Sequence, residues 1–480
     1  MPPRISPPTR RKTSPATAAL AWPGRKFVTG ESPSGRAPTC RPIEVSDISC
    51  ASPVRLIRGD ALDVAGSLAD EGLAGRVDLV YLDPPFASEA DYTHEARLDG
   101  PADGRVVRTR AYGDRWGAAG IGDYLEFLAP RIDAVTRLLA PGGSIWVHLD
   151  WRAAYLVRVL LDEILGRDAF VNEIVWRRAP NLGRQATSHQ FGRTLDTLVV
   201  YGKGDVTLVP PTRLEPIDPG AIRRDDEGRS FTSAPRGDYT DASIAKLERE
   251  GRVLRTASGK VYIKYFLVED GDGVWCRERR VDALWTDVPP LRHVAVAERT
   301  GFPTQKPRAL LERIVSCATR PGGTVVDLFA GSGTTGDAAH ALGRRAVLGD
   351  LGAMSIATTR ARLLRANVPL SIETCGTPAF VEAPAPRVEV KRIGGGEIAV
   401  TLLEPAEPLA WAVDPAPVAG APFRCRWHSE RALGVRSTAA KREARVADGG
   451  GAVAVRVYGD DGSVSCATVT PALLPEACSP

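Results

Sequence analysis

Val325-Val326-Asp327-Leu328-Phe329-Ala330-Gly331-Ser332-Gly333-Thr334-Thr335-Gly336 is the stretch that decides the fold class. A short apolar run, Thr324 to Phe329, reads as a buried strand. Three glycines break it, and a helix follows to about Leu342. The next apolar run, Ala346 to Gly349, ends at Asp350. Outward from this strand-turn-helix-strand unit lie helical periods from Lys306 to Ala318 and from about Ala353 to Leu364. Upstream, the run Val77 to Leu82 stops at Asp83-Pro84-Pro85-Phe86. Apolar residues at helical spacing occupy 121 to 140, with Pro141-Gly142-Gly143 as the expected stop. Ser144 to Leu149 reads as a strand, 152 to 165 as a helix, and Val171 to Trp176 and Thr197 to Tyr201 as strands. Val54 to Ile57 and the helical stretch 63 to 73 complete the pattern. This alternation predicts an α/β domain with a largely parallel, Rossmann-like sheet.

The regularity breaks between about 205 and 300, where Asp, Arg and Gly dominate. The expected organisation is a basic, disordered tail over 1–50, one half of the α/β domain over 53–204, an insertion over 205–300, and the other half over 301–370. Prolines 378, 384 and 386 mark a linker. Short alternating runs beyond them predict a small β-rich domain over 385–480.

Glycines after a strand allow a ligand close to the backbone, and the helix that follows offers free amides. A carboxylate at Asp350 suits ribose hydroxyls. Gly331-x-Gly333-x-x-Gly336 with Asp350 also fits a nicotinamide or flavin dinucleotide site, and a tight turn in an ordinary α/β domain explains it as well. A phosphate-cradling P-loop fits less well, because Asp337 stands where that motif needs Lys.

Asp83-Pro84-Pro85-Phe86 ends a hydrophobic strand, and its chemistry is specific. The lone pair of an exocyclic amino group on a base is delocalised into the ring. A carboxylate (Asp83) and a fixed carbonyl (Pro84) can both accept its hydrogens and free that lone pair. Two prolines hold the backbone in place, and Phe86 offers a face for an extruded base. The plain alternative is a Pro-rich turn capped by Asp.

With these residues in place, the chain resembles the amino-group DNA methyltransferases, in the class whose catalytic motif precedes its cofactor motif. Asp83 to Phe86 match the family's catalytic tetrapeptide, Phe329 to Gly333 its cofactor turn, and Thr304-Gln305-Lys306-Pro307 a further family motif. Leu139 to Asp150 and Asn172 to Trp176 are similar to modification subunits of restriction systems. The resemblance covers about 53 to 365.

It implies that Asp83, Pro84, Pro85 and Phe86 hold the target base. It implies S-adenosyl-L-methionine as cofactor, with Phe329, Gly331 and Gly333 on its methionine and ribose side and Asp350 on the ribose hydroxyls. Asp327 and Thr334 join them as cofactor-binding residues. Thr304 and Lys306 belong near the methionine end, and Asp60 near the adenine. The implied reaction is direct displacement at adenine N6 in double-stranded DNA. Cytosine N4 is the alternative, since family members with Ser in place of Asp83 tend towards it. The region 180 to 300 falls where the family recognises its target. Arg177, Arg178, Arg184 and Arg193 suit phosphate contacts, or a solvated basic face. An oxidoreductase leaves Asp83 to Phe86 without a role, and a catalytically silent DNA-binding module leaves the tetrapeptide intact for no reason.

The bulk numbers fit this reading. The chain has 480 residues, is 43% hydrophobic and 25% charged, and carries a net charge of only +4. DNA contacts must therefore come from local basic patches. Eight cysteines occur without a CxxC pair, which fits a reducing cytoplasm. The nearest approach to a metal pair is Cys425 with His428, with no second pair beside it, so no metal is expected. No apolar run is long enough to span a membrane. The tail, with Arg10, Arg11 and Lys12, reads as disordered, as a DNA-contacting arm, or as a transit peptide. Homodimerisation and a restriction partner stay open at this point.

Overall fold

A computed structural model describes residues 19–22, 24–30, 37–46, 53–98, 105–117, 120–182, 189–376, 381–406, 408–431, 440–459 and 461–471. The basic cluster Arg10 to Lys12 and Arg184 lie outside them. The chain forms two compact units, 209–284 and the remainder.

The larger unit is built on an eleven-stranded sheet. In chain order its main elements are β1 (Arg41–Val45), β2 (Val54–Arg58), α1 (Ala61–Leu68), β3 (Val77–Leu82), β4 (Ala90–Leu98), β5 (Arg105–Asp114), α2 (Ile121–Thr136), β6 (Leu139–Leu149), α3 (Ala154–Leu165), β7 (Phe170–Arg177) and β8 (Leu195–Gly202). After the insertion come α4 (Arg308–Ala318), β9 (Thr324–Asp327), α5 (Thr334–Ala341), β10 (Arg345–Asp350), α6 (Ala353–Arg365) and β11 (Leu370–Thr374). The spatial order is β7-β8-β6-β3-β9-β10-β2-β11-β1. The six strands from β6 to β11 run parallel, and antiparallel strands flank them on both sides. This is the expected α/β fold with a mostly parallel sheet.

Parallel strands buried on both faces need continuous apolar sequence. β3 meets that need: five of its six residues are buried. Its alternate residues face opposite ways. Val80 and Leu82 join Ile57, Ile145, Val147, Val326 and Leu328 in one core with the buried faces of α1, α2 and α3. Leu79 and Val325 face the other side, where α4 buries Leu310, Leu311, Ile314 and Val315.

Chain direction matters most for the site. From β3 the sheet is built outward to β6, and from β9 it is built the other way to β10. The junction of β3 and β9 is thus a topological switch point, and ligands bind beyond the carboxyl ends of strands there. Leu79 pairs with Val325 and Val80 with Val326, so the two motifs end side by side.

Several elements differ from the sequence reading. Helix α2 ends at Thr136, and β6 runs through the Pro-Gly-Gly from Leu139. The Leu138 carbonyl already accepts from Arg76 and Val77, which commits the chain to the sheet before the glycines. A Cβ on Gly143 would sit 2.7 Å from the Val77 carbonyl oxygen, so this glycine serves strand approach rather than helix termination. Arg41–Val45, inside the expected disordered tail, is a strand paired with β11. The long hairpin of β4 and β5 had no counterpart in the sequence reading.

The unit 209–284 is an antiparallel sheet of Thr212–Pro216, Ser230–Pro235, Val261–Glu269 and Trp275–Arg280, with one helix, Asp241–Arg249, capped by Thr240. Its buried residues include Phe231, Ile244, Ile263, Leu267, Cys276 and Val281. Within the larger unit, strands between 387 and 469 form two small sheets around Ile398, Val400, Trp411, Val413, Val455 and Val457. They join the α/β domain through Arg360 of α6, which is 1% exposed and pairs with Glu44 at 2.7 Å and Glu430 at 2.9 Å. Tyr458 also donates to Glu44. No helix among the described residues is long and apolar enough to cross a membrane.

Candidate active site

A cavity of about 370 Å³ opens at the carboxyl ends of β3 and β9. That lies within the range of small-molecule sites, roughly 300–1,000 Å³. Asp83 and Pro85 line it together with Asp60, Thr304, Lys306, Asp327, Phe329, Gly331, Thr334 and Asp350. Of the residues read from sequence, Pro84, Phe86 and Gly333 lie outside the lining.

The strand end at β3 presents Asp83, whose side chain is 16% exposed. Lys306 lies 223 residues away in sequence and donates to Asp83 Oδ2 at 2.5 Å. Asp83 Oδ1 is buried with no hydrogen-bond partner among the described residues. An unpaired buried carboxylate oxygen is costly, and it marks where a donor belongs. Phe86 stacks on His148 at 6.1 Å and 22°. The Lys306 ammonium stands 5.2 Å from the centre of the same ring. Behind it, Tyr81 OH meets His148 Nδ1 at 3.0 Å, and His148 Nε2 meets Asp196 Oδ2 at 3.2 Å.

The segment before α4 explains Lys306. Gln305 Oε1 accepts from Thr300 N and Oγ1 at 2.8 and 2.7 Å, and Gln305 Nε2 donates to the Glu298 carbonyl. That fastens the loop, and Pro307 then caps α4. Thr304 sits at φ 61°, a strained position for a β-branched residue, with its hydroxyl 3.1 Å from Tyr112 OH.

The glycine loop after β9 is held from three sides. Asp350 accepts from Gly331 N at 2.9 Å and from Gly352 N at 2.8 Å. Thr359 of α6 donates to the Gly331 carbonyl at 3.1 Å. Gly333 adopts φ 73°, and a Cβ there would sit 2.5 Å from Thr359 Cγ2. Gly336 lies against Leu348 of β10, so the third glycine allows close helix–strand packing. Asp327 accepts from Phe329 N at 3.0 Å and from Thr335 Oγ1 at 2.5 Å. Burial pushes its carboxyl up to about 7, with the charges of Asp83 and Asp350 adding to the shift. Burial also raises Asp350.

Asp60 caps α1 through Leu62 N at 2.9 Å and pairs with Arg131 at 2.5 Å. Its carboxylate is thus engaged at the far end of the cavity. There Arg131 lies 3.8 Å over Phe127, and Phe127 meets Phe329 at 6.3 Å and Trp116 at 5.0 Å. The sequence reading missed this aromatic wall. Phe127 carried only the apolar period of α2, and Trp116 follows an unrecognised hairpin. Of the basic residues noted earlier, Arg178 pairs with Asp196 at 2.8 Å. Arg177 and Arg193 are exposed, and Arg193 covers the ring of Trp151 at 4.1 Å. Cys425 lies against Arg360, away from any metal-like cluster. Among the described residues, no group of three or more His, Cys, Asp or Glu is placed to hold a metal ion.

A carboxylate-proline turn and a glycine loop sharing one cavity invite comparison with known proteins. A family model described as DNA methylase, for N6 and N4 methyltransferases, matches residues 77–358.

The chain belongs to this DNA methylase family.

Among curated relatives of this methylase is the type II methyltransferase M.EcaI of Enterobacter cloacae. It is 26% identical over 297 residues, covering 56% of this chain and 61% of that one. The Mod subunit of the type III restriction-modification enzyme StyLTI of Salmonella typhimurium is 25% identical over 331 residues, covering 60% of this chain and 49% of that one. The chain thus spans less than two thirds of the length of these two relatives. Among solved structures, M1.HpyAVI in complex with SAM aligns at a TM-score of 0.36 and 17% identity, covering 65% of this chain and 98% of that one. The cytosine-N4-specific PvuII DNA methyltransferase aligns at 0.35 and 16%, covering 66% and 87%.

The family uses S-adenosylmethionine, and the cavity suits it. The glycine turn leaves room where a side chain would intrude, and aromatic rings and carboxylates line the walls. The nicotinamide alternative loses its ground with the family match, since the glycine pattern and Asp350, its support, fit the methylase as well.

Proposed function

We propose that this methylase transfers a methyl group from S-adenosylmethionine to adenine N6 in double-stranded DNA, on a base turned out of the duplex. The observation that carries the reading is the buried, unpartnered Oδ1 of Asp83 in the wall of the cavity that the glycine loop also lines. When bound, the cofactor supplies a methyl group on a positively charged sulfur. Phe329, Gly331, Asp327 and Asp350 would hold its methionine and ribose side, and Phe127 and Trp116 its flat base.

Asp83 accepts a hydrogen of the target amine, and the Pro84 carbonyl accepts the other. The nitrogen lone pair is thereby released from the ring. Lys306 orients Asp83, because its ammonium bonds Oδ2 and leaves Oδ1 for the substrate. Holding both reactants in line is the main source of rate. Adenine is favoured over cytosine because an aspartate, not a serine, opens the tetrapeptide. The unit 209–284 would read the recognition sequence, and the exposed Arg177 and Arg193 would contact phosphates. The type II and type III relatives support a cytoplasmic role in modification, with a restriction partner or a second copy of the chain as further proposals.

The test is transfer of labelled methyl from S-adenosylmethionine to unmodified DNA, followed by digestion and chromatography of the nucleosides. N6-methyladenine is the expected product. N4-methylcytosine would reassign the base, and cofactor binding without transfer to any DNA would end the reading.

A further inference from the structure

Asp114, at the end of β5, is 1% exposed, and five donors converge on its carboxylate. Oδ2 accepts from Phe86 N at 3.1 Å, Ser88 N at 2.8 Å and Ser88 Oγ at 2.6 Å. Oδ1 accepts from Ala87 N at 3.0 Å and Trp116 Nε1 at 2.7 Å. Pro84 and Pro85 have no N–H, so Phe86, Ala87 and Ser88 carry the first backbone donors after Asp83. All three go to Asp114. Ala87 is held at φ 54°, a left-handed position that an alanine adopts only when its surroundings require it. Three successive amides turned onto one carboxylate form a compact anion nest. The fifth donor leads elsewhere: Trp116 packs on Phe127 at 5.0 Å in the cofactor end of the cavity.

We propose that Asp114 is the positioning residue of the catalytic turn, the backbone anchor that helps fix Asp83 to Phe86 relative to the aromatic cofactor wall. It touches neither reactant and acts through the loop. The inference rests on the methyltransferase reading for its effect on rate, but not for its effect on the loop. The decisive variant is Asp114→Asn, which keeps size and removes charge. Its amide nitrogen must face either the Phe86 and Ser88 amides or the Ala87 amide and the Trp116 indole, so donor meets donor on one side of the group.

Hydrogen exchange over Phe86 to Ser88 is measured in the wild-type protein and in Asp114→Asn, alongside calorimetry with S-adenosylmethionine and steady-state methyl transfer. Slow exchange in the wild type, fast exchange in the variant, and a kcat lower by about 100-fold with cofactor affinity nearly kept would support the anchor. Ser88→Ala, which removes one donor of five, should fall between the two. Free exchange of these amides in the wild type would overturn the proposal without any variant, which matters if Asp114→Asn does not fold. So would an unchanged kcat in a folded variant. A loss of cofactor binding in proportion to kcat would overturn it too, because Asp114 would then merely hold the cavity together. If the wild type transfers no methyl group, the functional reading fails, and the exchange data still decide the anchor.

Discussion

Replacing Gly333 by alanine tests the cofactor loop at its tightest point. The residue sits at φ 73°, where an L-residue costs roughly 1–2 kcal/mol. The new Cβ would meet Thr359 Cγ2 at 2.5 Å and Oγ1 at 2.8 Å. Thr359 is fully buried, and turning it away breaks its bond to the Gly331 carbonyl. Overpacking of this kind costs roughly 1–3 kcal/mol. The sum is about 2–5 kcal/mol, divided between a lower melting midpoint and a weaker affinity for S-adenosylmethionine. If the loop takes all of it, the affinity falls by roughly 30-fold to a few thousand-fold. Calorimetric titration and denaturant unfolding measure the two parts. Thr359→Ala removes both colliding atoms, so the double variant should recover the overpacking share and show a coupling of about 1–3 kcal/mol. A double variant no better than the sum of its singles, or a Gly333→Ala protein that binds like the wild type, would refute the stated packing of α6 on the loop.

Asp83→Ala should lower single-turnover methyl transfer by about 10²–10⁴-fold while cofactor titration stays close to wild type; undiminished transfer removes Asp83 from the mechanism. Asp327, raised by burial to about 7, is largely protonated at pH 6 and largely ionised at pH 8. A cationic cofactor favours the ionised form, so its affinity should rise as pH climbs through 7. Asp327→Asn should remove that rise, and an identical pH profile in both proteins would count against the assignment. The same raised acid has a second consequence. Its folded form binds a proton that the unfolded chain has released between about pH 4 and 7, so stability falls across that window and levels off above it. Denaturant midpoints of Asp327→Asn should show a flatter slope there. Arg360→Met leaves Glu44 and Glu430 buried without their shared partner and should cost about 3–5 kcal/mol in unfolding experiments. A midpoint close to wild type would mean that the C-terminal sheets do not depend on this tie.

The central strands were legible because nothing but a buried strand suits Val77 to Leu82 or Thr324 to Phe329, and breakers follow both. The two motifs could likewise be read as chemistry at strand ends. What could not be read depends on partners distant in sequence. β4 and β5 lack a long apolar run, and they are held instead by tertiary contacts such as Tyr112 OH with Thr304 Oγ1 at 3.1 Å and His94 Nε2 with the Thr300 carbonyl at 3.3 Å. Asp114 was invisible for the same reason, since its partners are backbone amides brought to it by the fold. Asp60 was read as a cofactor contact. It lines the cavity, but its oxygens are bound to Leu62 N and Arg131, and no local pattern announces Arg131 on the next helix. Arg41–Val45 was taken for tail because it lies in the basic stretch 1–50, rich in Pro, Ser, Thr and Arg, yet it pairs with β11, and Arg360, Arg456 and Tyr458 hold Glu44 in the interior.

The charges around the cavity bear on the cofactor more directly than the glycines do. Glycine loops before a helix serve anionic dinucleotides as readily as they serve a sulfonium, so the backbone alone leaves the two alike. The lining holds Asp60, Asp83, Asp327 and Asp350 against Lys306 and Arg131. Each of those cations is committed, Lys306 to Asp83 and Arg131 to Asp60. Asp327 and Asp350 bond backbone amides and hydroxyls, Arg58 draws Asp350 down from outside the lining, and burial raises both. An extended pyrophosphate would have to approach these two carboxylates with no free cation among the lining residues. A ligand bearing positive charge would instead offset the cost of ionising them in a low-dielectric wall. Asp327 and Asp350 therefore suit a ligand that brings positive charge without a pyrophosphate, as a methyl-bearing sulfonium does.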